Sequence, residues 1–197
     1  MLFSSDGSSI YASGIFQGAL SVASSADSVV RSLVDDVSTA DTVSRGTLLE
    51  LQRDLKLKGG SRIQGTDDSW IQSTVESSDG LLVSGGGKIV EWGSLSYADD
   101  FNNYFVGRTS KVARVPAWGI PISPIESAVS GNFTVEAFQM DTIAASPGLN
   151  GSLFVAGTFA QAVEIGWKTP KTMTPLSASS AFVGKLNSAG ELACTFD

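Results

Sequence analysis

One phrase occurs three times along this chain. It reads Asp6-Gly7-Ser8-Ser9-Ile10-Tyr11-Ala12-Ser13-Gly14, then Asp79-Gly80-Leu81-Leu82-Val83-Ser84-Gly85, then Asn150-Gly151-Ser152-Leu153-Phe154-Val155-Ala156-Gly157. The closing glycines stand 71 and 72 residues apart, so the spacing repeats along with the wording. An internal repeat constrains the fold more than any other feature here, because similar units must stack and bury their faces against one another. Asp-Gly and Asn-Gly signal tight turns, since Gly and Asn tolerate positive φ, and the apolar alternation after them suits a half-buried strand.

The flanking segments repeat as well. Phe16-Gln17-Gly18-Ala19-Leu20-Ser21-Val22 aligns without a gap to Phe159-Ala160-Gln161-Ala162-Val163-Glu164-Ile165, and Val90-Glu91-Trp92-Gly93 takes the matching place in the second copy. Period-2 alternation turns Val163 and Ile165 inward and Ala162 and Glu164 outward. Two strands across a turn follow: Phe105-Val106-Gly107-Arg108 in the second copy, Phe182 to Leu192 in the third and Thr47 to Leu57 in the first. A last strand then leads into the next phrase, as in Trp70 to Glu76 before Asp79 and Phe138 to Ala144 before Asn150. Four short strands per unit is the arithmetic of a propeller blade.

In its order of strand, Asp/Asn-Gly, aliphatic strand ending in Gly, Phe-x-Gly/Ala strand, then Phe-Val-x-Lys-Leu-x-x-x-Gly, the chain resembles the β-propeller repeats, often called SBBP repeats, of large secreted and surface proteins. Asn150 to Phe196 is nearest to that pattern. The resemblance implies an all-β fold of three blade-like repeats of about 71 residues, each of four short antiparallel strands and part of a larger propeller or array. Unit 1 covers 1–78 with an insertion at 23–45, where an alternative register makes Ser28 to Leu33 the third strand. Unit 2 covers 79–149 with a Pro-rich loop at 116–130, and unit 3, incomplete, covers 150–197. Three units do not close a ring. The expectation is a longer chain with more blades, the alternatives being blades from a partner chain or an open arc. The terminal strands are edges that invite pairing with neighbouring chains or additional blades.

Composition narrows the function. At 42% hydrophobic the chain can bury a core, and its net charge of −7 with 13 Lys and Arg lacks the basic patches that nucleic acid or anionic membrane demands. It has no His and a single cysteine, Cys194, which excludes an intrachain disulfide and a multi-Cys zinc site. No apolar stretch approaches the roughly 20 residues that span a bilayer, so membrane insertion is not expected. The N-terminus shows no basic segment followed by an apolar run, so it does not resemble a signal peptide.

Each candidate site has a plainer reading beside it. Asp6, Asp79 and Asn150 recur in equivalent places as oxygen ligands would, yet turn geometry already explains them. The pairs Asp35-Asp36, Asp67-Asp68 and Asp99-Asp100 read as solvated loop residues rather than paired catalytic carboxylates. Gly85-Gly86-Gly87-Lys88 lacks the spacing and the following helix of a phosphate loop. Of the tryptophans Trp70, Trp92, Trp118 and Trp167, the strand-end pair Trp92 and Trp167 are candidates for a glycan platform, with core packing as the default. Asn132-Phe133-Thr134 and Asn150-Gly151-Ser152 are sequons, making Asn132 and Asn150 candidate N-glycosylation sites and leaning the compartment towards extracellular or cell surface.

These features point to a non-enzymatic structural or interaction module that presents loops on a rigid β scaffold and needs no cofactor. The competing expectations are a lectin-like, carbohydrate- or ligand-binding propeller and a viral capsid-type β-sandwich with two packed sheets. Catalysis is the least supported class, since no constellation stands above background.

Overall fold

The computed structural model describes residues 1–17, 20–23, 30–33, 43–63, 67–78, 80–92, 95–110, 116–125, 144–147, 152–160, 162–166, 170–177 and 180–196. Within them the chain is all-β. The first strands are β1 (Leu2–Phe3), β2 (Ser9–Gln17), β3 (Leu20–Ala23), β4 (Val30–Leu33), β5 (Ser44–Gln52) and β6 (Leu57–Arg62). Next come β7 (Ser69–Ser77), β8 (Gly80–Trp92), β9 (Leu95–Thr109) and β10 (Pro116–Pro124). The last are β11 (Ala144–Pro147), β12 (Leu153–Phe159), β13 (Val163–Ile165), β14 (Lys171–Met173), β15 (Ser180–Leu186) and β16 (Leu192–Phe196).

Every pairing is antiparallel, and three sheets share one plan. The first is ordered β1-β2-β5-β6, the middle one contains β7-β8-β9-β10, and the third is β11-β12-β15-β16. Each is a meander in which the recurring phrase supplies the second strand. Each sheet thus begins one strand before its phrase: β7, read from sequence as the end of the first unit, pairs with β8. The inserts between second and third strands also correspond. In the third unit that insert is the hairpin β13–β14, which leaves its own sheet and joins the edge of the middle one by pairing β13 with β10. In the second unit it is the extension of β8 and β9, where Ile89–Trp92 face Leu95–Ala98 beyond a register shift. In the first unit it is β3–β4, whose strands form a separate two-stranded sheet among the described residues. The alternative third strand at Ser28 to Leu33 therefore falls partly on β4, outside the main sheet, while β5 takes the third place.

The segment from Pro116 to Pro124, expected within a Pro-rich connection, is the strand β10. Prolines fit because their missing donors fall where pairing stops. Gly166 N–H donates to the Pro121 carbonyl at 3.1 Å, so the Pro121 backbone faces β13 just past its last residue. Pro124 faces the opposite side, beyond the last β9 pair at Ile122.

The three sheets stack, and the middle one is covered on both faces. Its face carrying Ile71, Leu81, Val83 and Phe105, with Val90, Trp92 and Leu95, packs with Tyr11 and Leu48 of the first sheet and with Ile63. Its other face, with Leu82, Tyr104, Val106, Ile120 and Ile122, packs on Leu153, Val155, Phe159, Phe182 and Leu186 of the third. Val163, Ile165 and Met173 of the β13–β14 hairpin extend that second core, with Glu164 exposed as the alternation requires. Each fully buried side chain of this kind contributes about 1.5–3 kcal/mol before entropy is charged against it. Close approach is achieved with glycine. A Cβ on Gly107 would lie 2.3 Å from the Trp92 ring, and one on Gly86 would lie 2.4 Å from the Trp70 ring. The strands form neither a closed barrel nor a closed ring among the described residues.

Candidate interaction surface

Strand register converts the sequence repeat into equivalent places in space. The Phe-Val-Gly-Arg segment of β9 and the Phe-Val-Gly-Lys segment of β15 set the frame: Gly85 lies opposite Phe105 and Gly157 opposite Phe182. Leu82 lies opposite Arg108, Phe154 opposite Lys185 and Tyr11 opposite Glu50, so Tyr11, Leu82 and Phe154 are counterparts. Leu48, Val106 and Val183 correspond by the same register, as do Ile10, Leu81 and Leu153.

Counterparts face the same way along the stack. Leu81 faces the sheet before it and so does Leu153, whereas Tyr11 and Leu82 face the sheet after them. The stacking is therefore head to tail. Its forward face is closed at Tyr11 (2% exposed) and Leu48 (1%), closed again at Leu82 (3%) and Val106 (0%), and open at Phe154 (40%) and Val183 (43%). The Lys185 ammonium stands 5.9 Å from the Phe154 ring centroid and covers part of this apolar face.

The sequence candidates fall elsewhere. Trp92 is buried, its ring 5.6 Å from that of Phe105, and it offers no face to a sugar; the expected platform loses this member to the core. Its indole N–H has no hydrogen-bond partner among the described residues. Trp167 lies outside the described residues. Trp70 is half-buried, edge-on to Tyr104 at 5.7 Å. Trp118 lies with its ring over Gly190, donates to the Ser188 carbonyl at 3.1 Å and has the Arg108 guanidinium 5.8 Å above it. Trp70, Trp92 and Trp118 each lie against a glycine.

Asn132, Asn150 and Asp79 also lie outside the described residues. Asp6 caps its own turn, accepting from the Ser4 hydroxyl at 2.7 Å and from the Ser8 N–H at 2.9 Å. These bonds, that of Ser4 first, hold its carboxyl well below the usual carboxylate range. Asp68 accepts from the Ser44 N–H at 2.6 Å and Glu76 from the Ser5 N–H, so two carboxylates of the middle sheet's entry tie down backbone of the first. Gly85 to Lys88 lie inside β8 rather than in a loop. The described residues hold no group of three or more metal-ligating acidic or thiol side chains.

Pattern reading missed one polar cluster. Glu50 is buried, accepts from Ser9 Oγ at 2.8 Å and pairs with Lys58 Nζ at 2.9 Å. The only hint is a Glu in an otherwise apolar run, Leu48-Leu49-Glu50-Leu51. This cluster joins β2, β5 and β6 within the first sheet. No family model matches the chain, and no curated protein or solved structure matches it either.

Proposed function

We propose that this chain is a structural or interaction module, a run of propeller-type blades acting as a rigid scaffold in an extracellular or cell-surface assembly. The observation carrying the reading is the head-to-tail stacking of three equivalent meanders, whose facing sides hold both apolar cores. Tryptophan use supports it too, since Trp70, Trp92 and Trp118 pack on backbone glycines instead of lining a common rim. Partner contacts fall to connections at the sheet ends, where loops on a stiff β frame tolerate variation. The work of such a module is geometric and non-enzymatic. Three stacked sheets also fit a two-sheet capsid sandwich poorly, and the burial of Trp92 leaves the lectin reading without one of its two candidate tryptophans.

Thermal unfolding followed at once by near-UV and far-UV circular dichroism, with a glycan-array screen of the same protein, tests the reading. The expected result is one coincident transition and no saturable glycan signal. Separate melting of the sheets, or glycan binding abolished by Trp118→Ala, would replace it.

A further inference from the structure

We infer that the open forward face of the third sheet is a docking surface for the first sheet of a second copy of this chain. This rests on the scaffold reading above and names the partner. Two observations at opposite ends of the stack carry it. At one end, Phe154 and Val183 hold the positions that Tyr11 with Leu48, and Leu82 with Val106, fill in two closed interfaces. At the other, the hairpin β3–β4 holds the position of β13–β14, which joins the sheet preceding its own, whereas among the described residues β3–β4 joins no other sheet.

Each end lacks what the other provides. The first sheet's backward face carries Phe3, Ile10, Ala12, Thr47, Leu49 and Leu51 by strand register. Ile10 and Thr47 are already buried, while Phe3 is exposed and Ala12, Leu49 and Leu51 are partly so. A contact between different faces of identical chains is heterologous and must either close a ring or continue as a filament. Two copies bring six sheets together, within the four to eight units around which propeller rings close. Face-to-face pairing of two third sheets is the poorer fit, because it sets Lys185 against its own copy across an apolar contact.

The test is the mass of the full chain in solution by light scattering across a concentration series, with Phe154→Glu, Val183→Glu and the control Leu176→Glu. Leu176 is an exposed side chain outside the stack. The expected species is twice the 20.5 kDa chain. Either face substitution should weaken it by ~100-fold or more, because a carboxylate would be buried without a partner, and the control should leave it unchanged. In a Cys194→Ser background, Phe3→Cys with Phe154→Cys should form an intermolecular disulfide that neither single cysteine gives. β11, the counterpart of β1, lies against β8, the counterpart of β12. A chain that stays monomeric, or a dimer indifferent to both charges, overturns the inference. So does Phe154→Cys linking to itself, and an open filament overturns closure at two copies. A monomer that still unfolds in one coincident transition would sink the docking surface and leave the scaffold reading standing.

Discussion

Replacing Leu82 by Ala should cost far more than replacing its counterpart Phe154, although Phe154 is the larger side chain. Leu82 lies between the middle and third sheets, 3% exposed. The substitution removes three buried carbons at about 0.8 kcal/mol each, and the unrelaxed cavity adds to that, giving about 2.5–4 kcal/mol. For a chain of this length that lowers the melting temperature by roughly 6–12 °C. Phe154→Ala removes a ring already in contact with water and a surface contact with Lys185, for about 1 kcal/mol. Urea unfolding read by tryptophan fluorescence, at a protein concentration low enough to keep chains apart, measures both. Equal costs, or a larger cost for Phe154, would show that the faces assigned from register are wrong.

Gly107→Ala should destabilise by about 1–3 kcal/mol and alter the near-UV tryptophan signal, because the new methyl meets both the Trp92 ring and, at 2.8 Å, the Trp118 carbonyl. Leu55→Gly should stabilise by about 0.5–1 kcal/mol in urea melts. Leu55 is exposed and has φ 66° at the place in its turn where the β15–β16 turn has Gly190 at φ 81°. Lys58→Met should cost about 1–2 kcal/mol at pH 7, since the Glu50 carboxylate, 5% exposed, loses a cation that is itself half in water. The Asp6 carboxyl titrates lower in the folded chain than in the unfolded one, so its contribution is full above the unfolded value, about 3.9, and is lost as pH falls below it. Asp6→Asn should therefore flatten the acid limb of the melting-temperature profile below about pH 4, and an unchanged limb would exclude Asp6 as its source.

What could be read from sequence was what depends on near neighbours. The phrase strands, the inward Val163 and Ile165, and the paired strands across the turns at Asp54 and Gly190 all follow from period-2 alternation and turn chemistry. Sheet membership did not, because period 2 says which face a residue occupies and nothing of which strand lies beside it. Hence Trp70 to Glu76, read with the unit they follow, lie in β7 and pair with β8, and Val163 to Ile165, read with Phe159 as a strand of the third unit, pair with β10. Prolines hid β10, since only the pairing pattern shows that Pro121 and Pro124 place their missing donors past the ladder's ends. From sequence Trp92 is core by default only, and Gly107 beside it, which leaves room for the ring, is the reason that it can be buried.

The burial pattern of the phrase itself carries a last step. An antiparallel sheet with one wet face alternates buried and exposed residues, whereas a sheet covered twice buries neighbours in succession. In β8 every residue from Gly80 to Gly87 is buried, as the middle of a stack requires. In β12 Leu153, Val155, Gly157 and Phe159 are buried while Phe154 is exposed and Ala156 and Thr158 are partly so, which is the pattern of a sheet covered once. In β2 Ser9, Ile10 and Tyr11 are buried in succession, and every residue from Ala12 to Gln17 is partly or fully exposed. Two-sided burial thus persists at the start of the first sheet and vanishes in the third. The stack is polar in the geometric sense, and its open surface lies on the forward face of the third sheet, around Phe154 and Val183.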